Sequence, residues 1–403
     1  MKGLTDWIND RLPFRELARE HLTEYYAPKN FNIWYVFGSL ALLVLVIQIV
    51  SGYFLLIHYQ PNEDAAFDSV QTIMFDVKWG WVLRYTHTTG ASMFFIVVYL
   101  HMFRGLMYGS YRKPRELLWI IGFIIYLTLM AEAYLGYVLP FGNMSFWGGK
   151  VITSIIEAVP YVGDWLGSLA RGGFGIGTPT LNRFMGMHVV LVPLVLIALV
   201  AVHVLALHKV GSNNPDGIEI KEHPGPDGKP LDGIPFHPFY TVKDIFGTCV
   251  FLTAFCAIVL YAPTMNGLFI ELANYTPANP LKTPPDITPA WYLAPFYAML
   301  RSVPNKLGGI GALGLAVILP FFLPWLDRNP VKSVRYRPVY LGMLAVLVIS
   351  VFVLGWIGMQ PASPALLLPG RIFLGLYLLF FLTLPVVSHF EPTKQVPQRV
   401  NMS

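Results

Sequence analysis

Runs of about twenty or more predominantly apolar residues recur along this chain, separated by polar stretches. Eight are legible, at 33–57, 79–104, 115–137, 184–207, 245–263, 307–326, 338–358 and 367–388; they are numbered α1 to α8. A helix rises about 1.5 Å per residue, so each run is long enough to cross, or nearly cross, a hydrocarbon core of about 30 Å. The pattern predicts an all-α, polytopic membrane protein with eight transmembrane helices. Polar stretches alternate in charge. The α2–α3 loop carries Arg104, Arg112, Lys113 and Arg115; the α4–α5 loop Lys209, Lys221 and Lys229; the α6–α7 loop Arg328, Lys332, Arg335 and Arg337. The α1–α2 loop holds Glu63, Asp64, Asp68 and Asp76 instead. The excess of basic residues places the first three loops and both termini in the cytoplasm, and the other loops outside.

Composition agrees. Of 403 residues 55% are hydrophobic and 13% charged, about half the charge of an ordinary globular chain. The net charge of +5 is spread over loops and does not point to nucleic acid. Cys249 and Cys256 stand seven apart in α5 and are expected on one core-facing stripe. Residues 1–32 form a charged, amphipathic surface segment (Trp7, Ile8, Leu12, Phe14, Leu17) lying on the membrane. Three further regions follow: a four-helix bundle over 33–210, a cytoplasmic loop over 211–244 with a turn-rich insert at 224–230, and a C-terminal region over 245–403.

Histidines supply the candidate chemistry. His87 and His101 in α2 are fourteen residues apart, and His188 and His203 in α4 fifteen. Either step is close to four helical turns, so each pair shares a face and spans roughly 21–23 Å. Helices α2 and α4 are separated by one span and run parallel, so His87 meets His188 at the outer level and His101 meets His203 at the inner. One histidine in an apolar helix is ordinarily a satisfied core or relay residue. Four at matching depths are a functional site, because polar groups in hydrocarbon are costly. Imidazole is a strong axial ligand for haem iron, so the four predict two bis-histidine haems in the α1–α4 bundle. No C-x-x-C-H occurs, so attachment is non-covalent.

Gly38 and Gly52 in α1, and Gly122 and Gly136 in α3, repeat the fourteen-residue step. Glycine admits close approach, and these four are expected to take haem edges. Arg84 and Arg104 each lie three residues from a ligand and suit haem propionates. Two outer loops are long. The α3–α4 loop, 138–183, holds a short surface helix near 151–159, and the α5–α6 loop, 261–304, is rich in proline. Both are expected to sit over the His87/His188 pair.

These residues resemble cytochrome b, the core subunit of the ubiquinol–cytochrome c oxidoreductases (the cytochrome bc complex, respiratory complex III), in its fused bacterial form. The resemblance rests on Arg84-Tyr-Thr-His87, Gly90-Ala-Ser-Met-Phe-Phe, Gly136-Tyr-Val-Leu-Pro140, Met144-Ser-Phe-Trp-Gly148, Tyr275-Thr-Pro-Ala-Asn-Pro280, Phe296-Tyr-Ala-Met-Leu-Arg301 and Pro304-Asn-Lys-Leu-Gly308. It implies a low-potential haem on His87/His188 and a high-potential haem on His101/His203. It also implies a quinol-oxidising site at Tyr137, Trp147, Gly148, Gly149, Ile152, Pro289, Tyr292 and Tyr297, and an inner quinone-reducing site at His208, Ser212, Asn213, Lys243, Asp244 and Ser39. One electron from ubiquinol would go to a Rieske iron–sulfur protein and the other across the membrane to ubiquinone. Implied partners are that Rieske protein (Lys306 a candidate contact), a membrane-anchored cytochrome c subunit, lipid and a second copy of the complex, in the bacterial inner membrane. Rival readings are a two-haem conduit without quinol oxidation, or a transporter.

Three departures stand out. Ala290 replaces the family's usual glutamate in Pro-Glu-Trp-Tyr, so Glu271, Asp286 or a water chain must take the quinol proton. The step in α4 is one residue longer than usual, and Pro193 between the ligands permits a bulge that absorbs it. Val36 stands where relatives are often polar, which bears on the inner site.

Overall fold

The computed structural model describes residues 3–13, 15–16 and 24–400. Phe14 and Leu17 of the N-terminal segment lie outside them. Among the described residues, eight helices are long and apolar enough to span a membrane: α1 Ile33–Leu56, α2 Gly80–Tyr108, α3 Glu116–Val138, α4 Thr178–Val210, α5 Phe239–Tyr261, α6 Lys306–Leu326, α7 Pro338–Gly358 and α8 Pro364–Phe390. All eight predicted runs are helices. The largest differences in boundary are at α4 and α5, which each start six residues early, because turns at the membrane edge are helical without being apolar.

Helix α4 is not uniform. Its first turns, Thr178–Gly186, pass through a π-helical turn at Met187–Leu191 into Val192–Val210. The Val192 N–H donates to the Met187 carbonyl, five residues back. Pro193 has no N–H and crowds the preceding turn, so the helix widens just before it. That turn takes up the extra residue between His188 and His203.

Helix α1 packs on α2, α3 on α4, and α7 on α8. One apolar core joins α1, α2, α3 and α5 through Val44, Phe95, Tyr126 and Phe255. A second joins α6, α7 and α8 to a short helix, Ala294–Ser302, through Met299, Leu354 and Leu384. Cys249 and Cys256 are exposed on α5, a correction to the expected core stripe: Gly247, Phe251, Phe255 and Val259 take the inward positions.

Ion pairs hold the loops at the basic end. Arg337, fully buried, meets Asp327 at 2.7 Å and Glu391 at 2.6 Å, and Tyr111 donates to Asp327 at 2.6 Å. This staples the ends of α6, α7 and α8 to the α2–α3 loop. Arg115 forks onto Glu219 at 2.6 and 2.8 Å, and Lys332 reaches the same carboxylate. A two-stranded antiparallel ribbon, β1 Tyr26–Pro28 with β2 Gly233–Pro235, ties the N-terminal segment to the α4–α5 loop.

At the opposite end, the outer end in the sequence-based topology, the α3–α4 loop forms two helices, Asn143–Glu157 and Gly163–Arg171, ahead of α4. The first begins earlier than the expected 151–159 stretch. The α5–α6 loop is laced to it: Asn143 N–H donates to Thr276 O at 2.9 Å and Asn279 N–H to Asn143 Oδ1 at 3.1 Å.

Candidate functional site

The fold brings the four histidines together as two pairs. The rings of His87 and His188 have centroids 6.1 Å apart, and those of His101 and His203 6.4 Å. A metal held between two imidazoles, with metal–nitrogen bonds of about 2 Å, sets the ring centres ~6 Å apart. Both gaps therefore fit one metal ion with a ligand on either side.

Hydrogen bonds fix the outer rings. His87 Nδ1 lies 2.9 Å from Ser51 Oγ, which donates its own proton to the Ile47 carbonyl at 2.7 Å. The hydroxyl therefore accepts from His87, and Nδ1 carries the hydrogen. His188 Nδ1 lies 3.0 Å from the Glu132 carbonyl oxygen, which only accepts. Nε2 is then the nitrogen of each ring that is available to bind a metal. Neither Ser51 nor Glu132 was singled out from sequence. Glu132 had a signal, being an acid deep in an apolar run; Ser51 had none.

The four glycines face the imidazoles themselves. A Cβ would stand 3.4 Å from His101 Cε1 at Gly38, 3.1 Å from His87 Cε1 at Gly52, 3.0 Å from His203 Cε1 at Gly122 and 2.4 Å from His188 Cε1 at Gly136. Each glycine makes room for one ring, which differs from the expected contact with the haem edge. Beside the inner pair, Arg104 Nε and Tyr35 Oη are buried without hydrogen-bond partners, and the Arg104 guanidinium lies 4.9 Å over the Tyr35 ring. Unsatisfied buried polar groups are costly, so these are groups awaiting an acceptor. Arg84 lies near Tyr85 and Tyr275.

An apolar cavity of about 230 Å³ opens on the outer side of α3. Tyr137, Ile152, Pro289, Ala290, Tyr292 and Tyr297 line it. Tyr292 stacks on Phe95 at 3.9 Å, and its carbonyl accepts from Tyr99 at 2.7 Å. Gly148, not Gly149, reaches the cavity; Gly149 sits behind it, where a Cβ would meet Ile176 and Val138 at 3.0 and 3.3 Å. Trp147 points to Asn279 O at 3.2 Å.

The two acids offered in place of Ala290 part company. Glu271 is half-buried beside Tyr137, and Asn274 donates to both at 3.2 and 3.3 Å. Burial pushes the Glu271 carboxyl up to about 7, against its hydrogen bonds. Asp286 is exposed, while its neighbour Ile287 faces the cavity. That corrects its candidacy: an outward carboxylate is not placed to take a proton from the cavity.

At the inner end, His208 packs against the Tyr25 ring at 4.7 Å, and Tyr25 Oη lies 2.7 Å from Ser212 Oγ. Ser39 lies beside Asp244. The Lys243 amine stands 5.0 Å over the Tyr240 ring. Asn213 is buried and donates to the Tyr108 carbonyl at 2.6 Å, so it braces the end of α2. Val36 lies against α5, 2.6 Å from where a Gly247 Cβ would stand, and closes the α1–α5 contact with a methyl group.

Known proteins match this arrangement. The family described as Cytochrome b/b6/petB matches residues 22–211, and Cytochrome b(C-terminal)/b6/petD matches 277–378. The chain is 55% identical to cytochrome b of Allochromatium vinosum, over 98% of this chain and 97% of that protein. It is 48% identical to cytochrome b of Rhodospirillum rubrum, over 98% and 95%. A solved structure described as hyperthermophilic respiratory Complex III superposes with a TM-score of 0.88 at 38% identity, covering 96% of this chain and 99% of that one.

Proposed function

Because the chain belongs to the cytochrome b family, and is the cytochrome b subunit of a bc1-type complex III, we propose that its outer cavity oxidises ubiquinol and its inner end reduces ubiquinone. The observation that carries this reading is the register of the histidine pairs, 6.1 and 6.4 Å apart at two depths, with the apolar cavity at the outer end. His87 with His188, and His101 with His203, would each hold one non-covalent b-type haem. When bound, the haems supply one-electron redox centres, low-potential at the outer level and high-potential at the inner. Arg84 and Arg104 would meet their propionates.

The chain's own residues do the rest. Tyr137, Ile152, Pro289, Tyr292 and Tyr297 exclude water and hold the quinol ring. Ala290 offers no carboxylate, so Tyr137 passes the hydroxyl proton to Glu271, whose carboxyl titrates near neutrality in its buried place. At the inner end His208 and Asp244 deliver protons to reduced quinone, with Ser39, Ser212, Asn213 and Lys243 around them. A Rieske iron–sulfur protein docks over the outer loops, near exposed Lys306, and a membrane-anchored cytochrome c subunit receives its electron. The complex is a homodimer in the bacterial inner membrane, with lipid around it and both termini in the cytoplasm.

Redox titration of the purified complex, followed by visible absorbance, is the test. Two b-type components are expected. His87→Asn or His188→Asn should remove the lower, and His101→Asn or His203→Asn the higher. A well-folded complex without b-type absorbance sinks the reading.

A further inference from the structure

The glycines of α1 and α3 and the histidines of α2 repeat every fourteen residues, but their polar neighbours do not. Helix α3 carries Glu132 one turn before Gly136 and, fourteen residues earlier, Leu118 one turn before Gly122. Helix α1 carries Ser51 next to Gly52 and Phe37 next to Gly38. Both outer rings thus meet a polar side chain, and the residues fourteen positions earlier on the same helices are apolar. On α3 the backbone is shared: the Leu118 carbonyl faces His203 Nδ1, outside good hydrogen-bond geometry, as the Glu132 carbonyl faces His188. The side chain is the difference. Glu132 Oε1 lies 3.0 Å from His188 Nδ1, and Oε2 is buried with no hydrogen-bond partner.

We propose that Glu132 is a positioning residue that sets the outer centre's potential through His188. This rests on the reading that His188 ligates a haem. A carboxylate against the outer N–H of a ligating histidine fixes the ring and raises its basicity. In a low-dielectric interior its negative charge also favours the more positive, oxidised iron. The inner centre has Leu118 in the same place and lacks both effects, so the outer centre is the weaker electron holder. A single glutamate builds a potential step into an otherwise repeated frame.

Redox titration of the whole complex carrying Glu132→Gln tests this. The outer component should titrate higher by about tenfold in its equilibrium, ~59 mV for one electron, with the inner component unmoved and both absorbance bands retained. Glu132→Asp keeps the charge and should stay near the wild-type value. Leu118→Glu should move the inner component down and leave the outer in place, which covers the case in which Glu132→Gln fails to assemble. An outer component at its wild-type potential in Glu132→Gln overturns the proposal. So does an equal shift in Glu132→Asp, which would mean that volume, not charge, matters. Absence of any b-type component from the wild-type complex would instead overturn the haem reading.

Discussion

Gly136 leaves no room for a methyl group beside His188: a Cβ there would stand 2.4 Å from Cε1 and 2.8 Å from Nε2 of the ring. The contact loosens to 3.0 Å at Gly122, 3.1 Å at Gly52 and 3.4 Å at Gly38. Alanine substitution should follow that order. Gly136→Ala displaces the ring, removes the outer b-type component and costs about 1–3 kcal/mol through overpacking. Gly38→Ala, in ordinary van der Waals contact, should keep both components. Absorbance and thermal denaturation of the four variants check the series; a spectrum unchanged in Gly136→Ala contradicts it.

On the proposed proton relay, Glu271 gives the cavity its pH dependence. With its carboxyl pushed up to about 7 by burial, the fraction able to accept a proton rises as pH climbs through neutrality. Quinol oxidation should rise with it. Glu271→Gln should flatten that limb and slow turnover by roughly 10²-fold. Asp286→Asn, at an exposed position, should leave rate and profile alone. Steady-state quinol oxidation against pH decides, and a wild-type profile in Glu271→Gln removes this residue from the relay.

Arg337 holds two buried acids together, Asp327 and Glu391. Arg337→Met leaves Glu391 without its cation and Asp327 with Arg112 alone, at about 3–5 kcal/mol, and should lower the melting temperature while both b-type bands persist. Burial alone would raise Asp327, but Arg337 outweighs it and holds the carboxyl below its usual value. An acid so depressed contributes stability above its unfolded pKa, and that contribution is lost as pH falls through the lower folded one. Acid sensitivity of melting should therefore diminish in Asp327→Asn. Melting that responds to acid as steeply as in the wild type argues against the assignment.

The π-helical turn at Met187–Leu191 exists to absorb one residue. Deleting Val190 gives α4 the same fourteen-residue step as α2. An ordinary α-helix then suffices, and both b-type components should survive. Loss of either would mean that the wide turn aims His188 in some further way.

Much of this was readable along the chain. Apolar run length defined eight spans, because a bilayer offers no water to an unpaired backbone and only helices or closed barrels cross it. The helical period paired His87 with His188 and His101 with His203, since two parallel helices leave no other match. The bulge in α4 was foreseen from Pro193 and the odd spacing. Pattern misled at Cys249 and Cys256, where apolarity does not separate a lipid-facing stripe from a core-facing one: in a membrane both are dry.

The one-dimensional order of residues determined the spans, the depths of the ligands and the glycine period, because all three follow from fixed rise and turn per residue. Only the tertiary structure decided that the glycines clear the imidazoles, that Glu271 and not Asp286 reaches Tyr137, and that Glu132 leans on His188. Those facts depend on how separate helices and loops rotate against one another. That rotation is set by packing summed over many contacts, which no local period encodes.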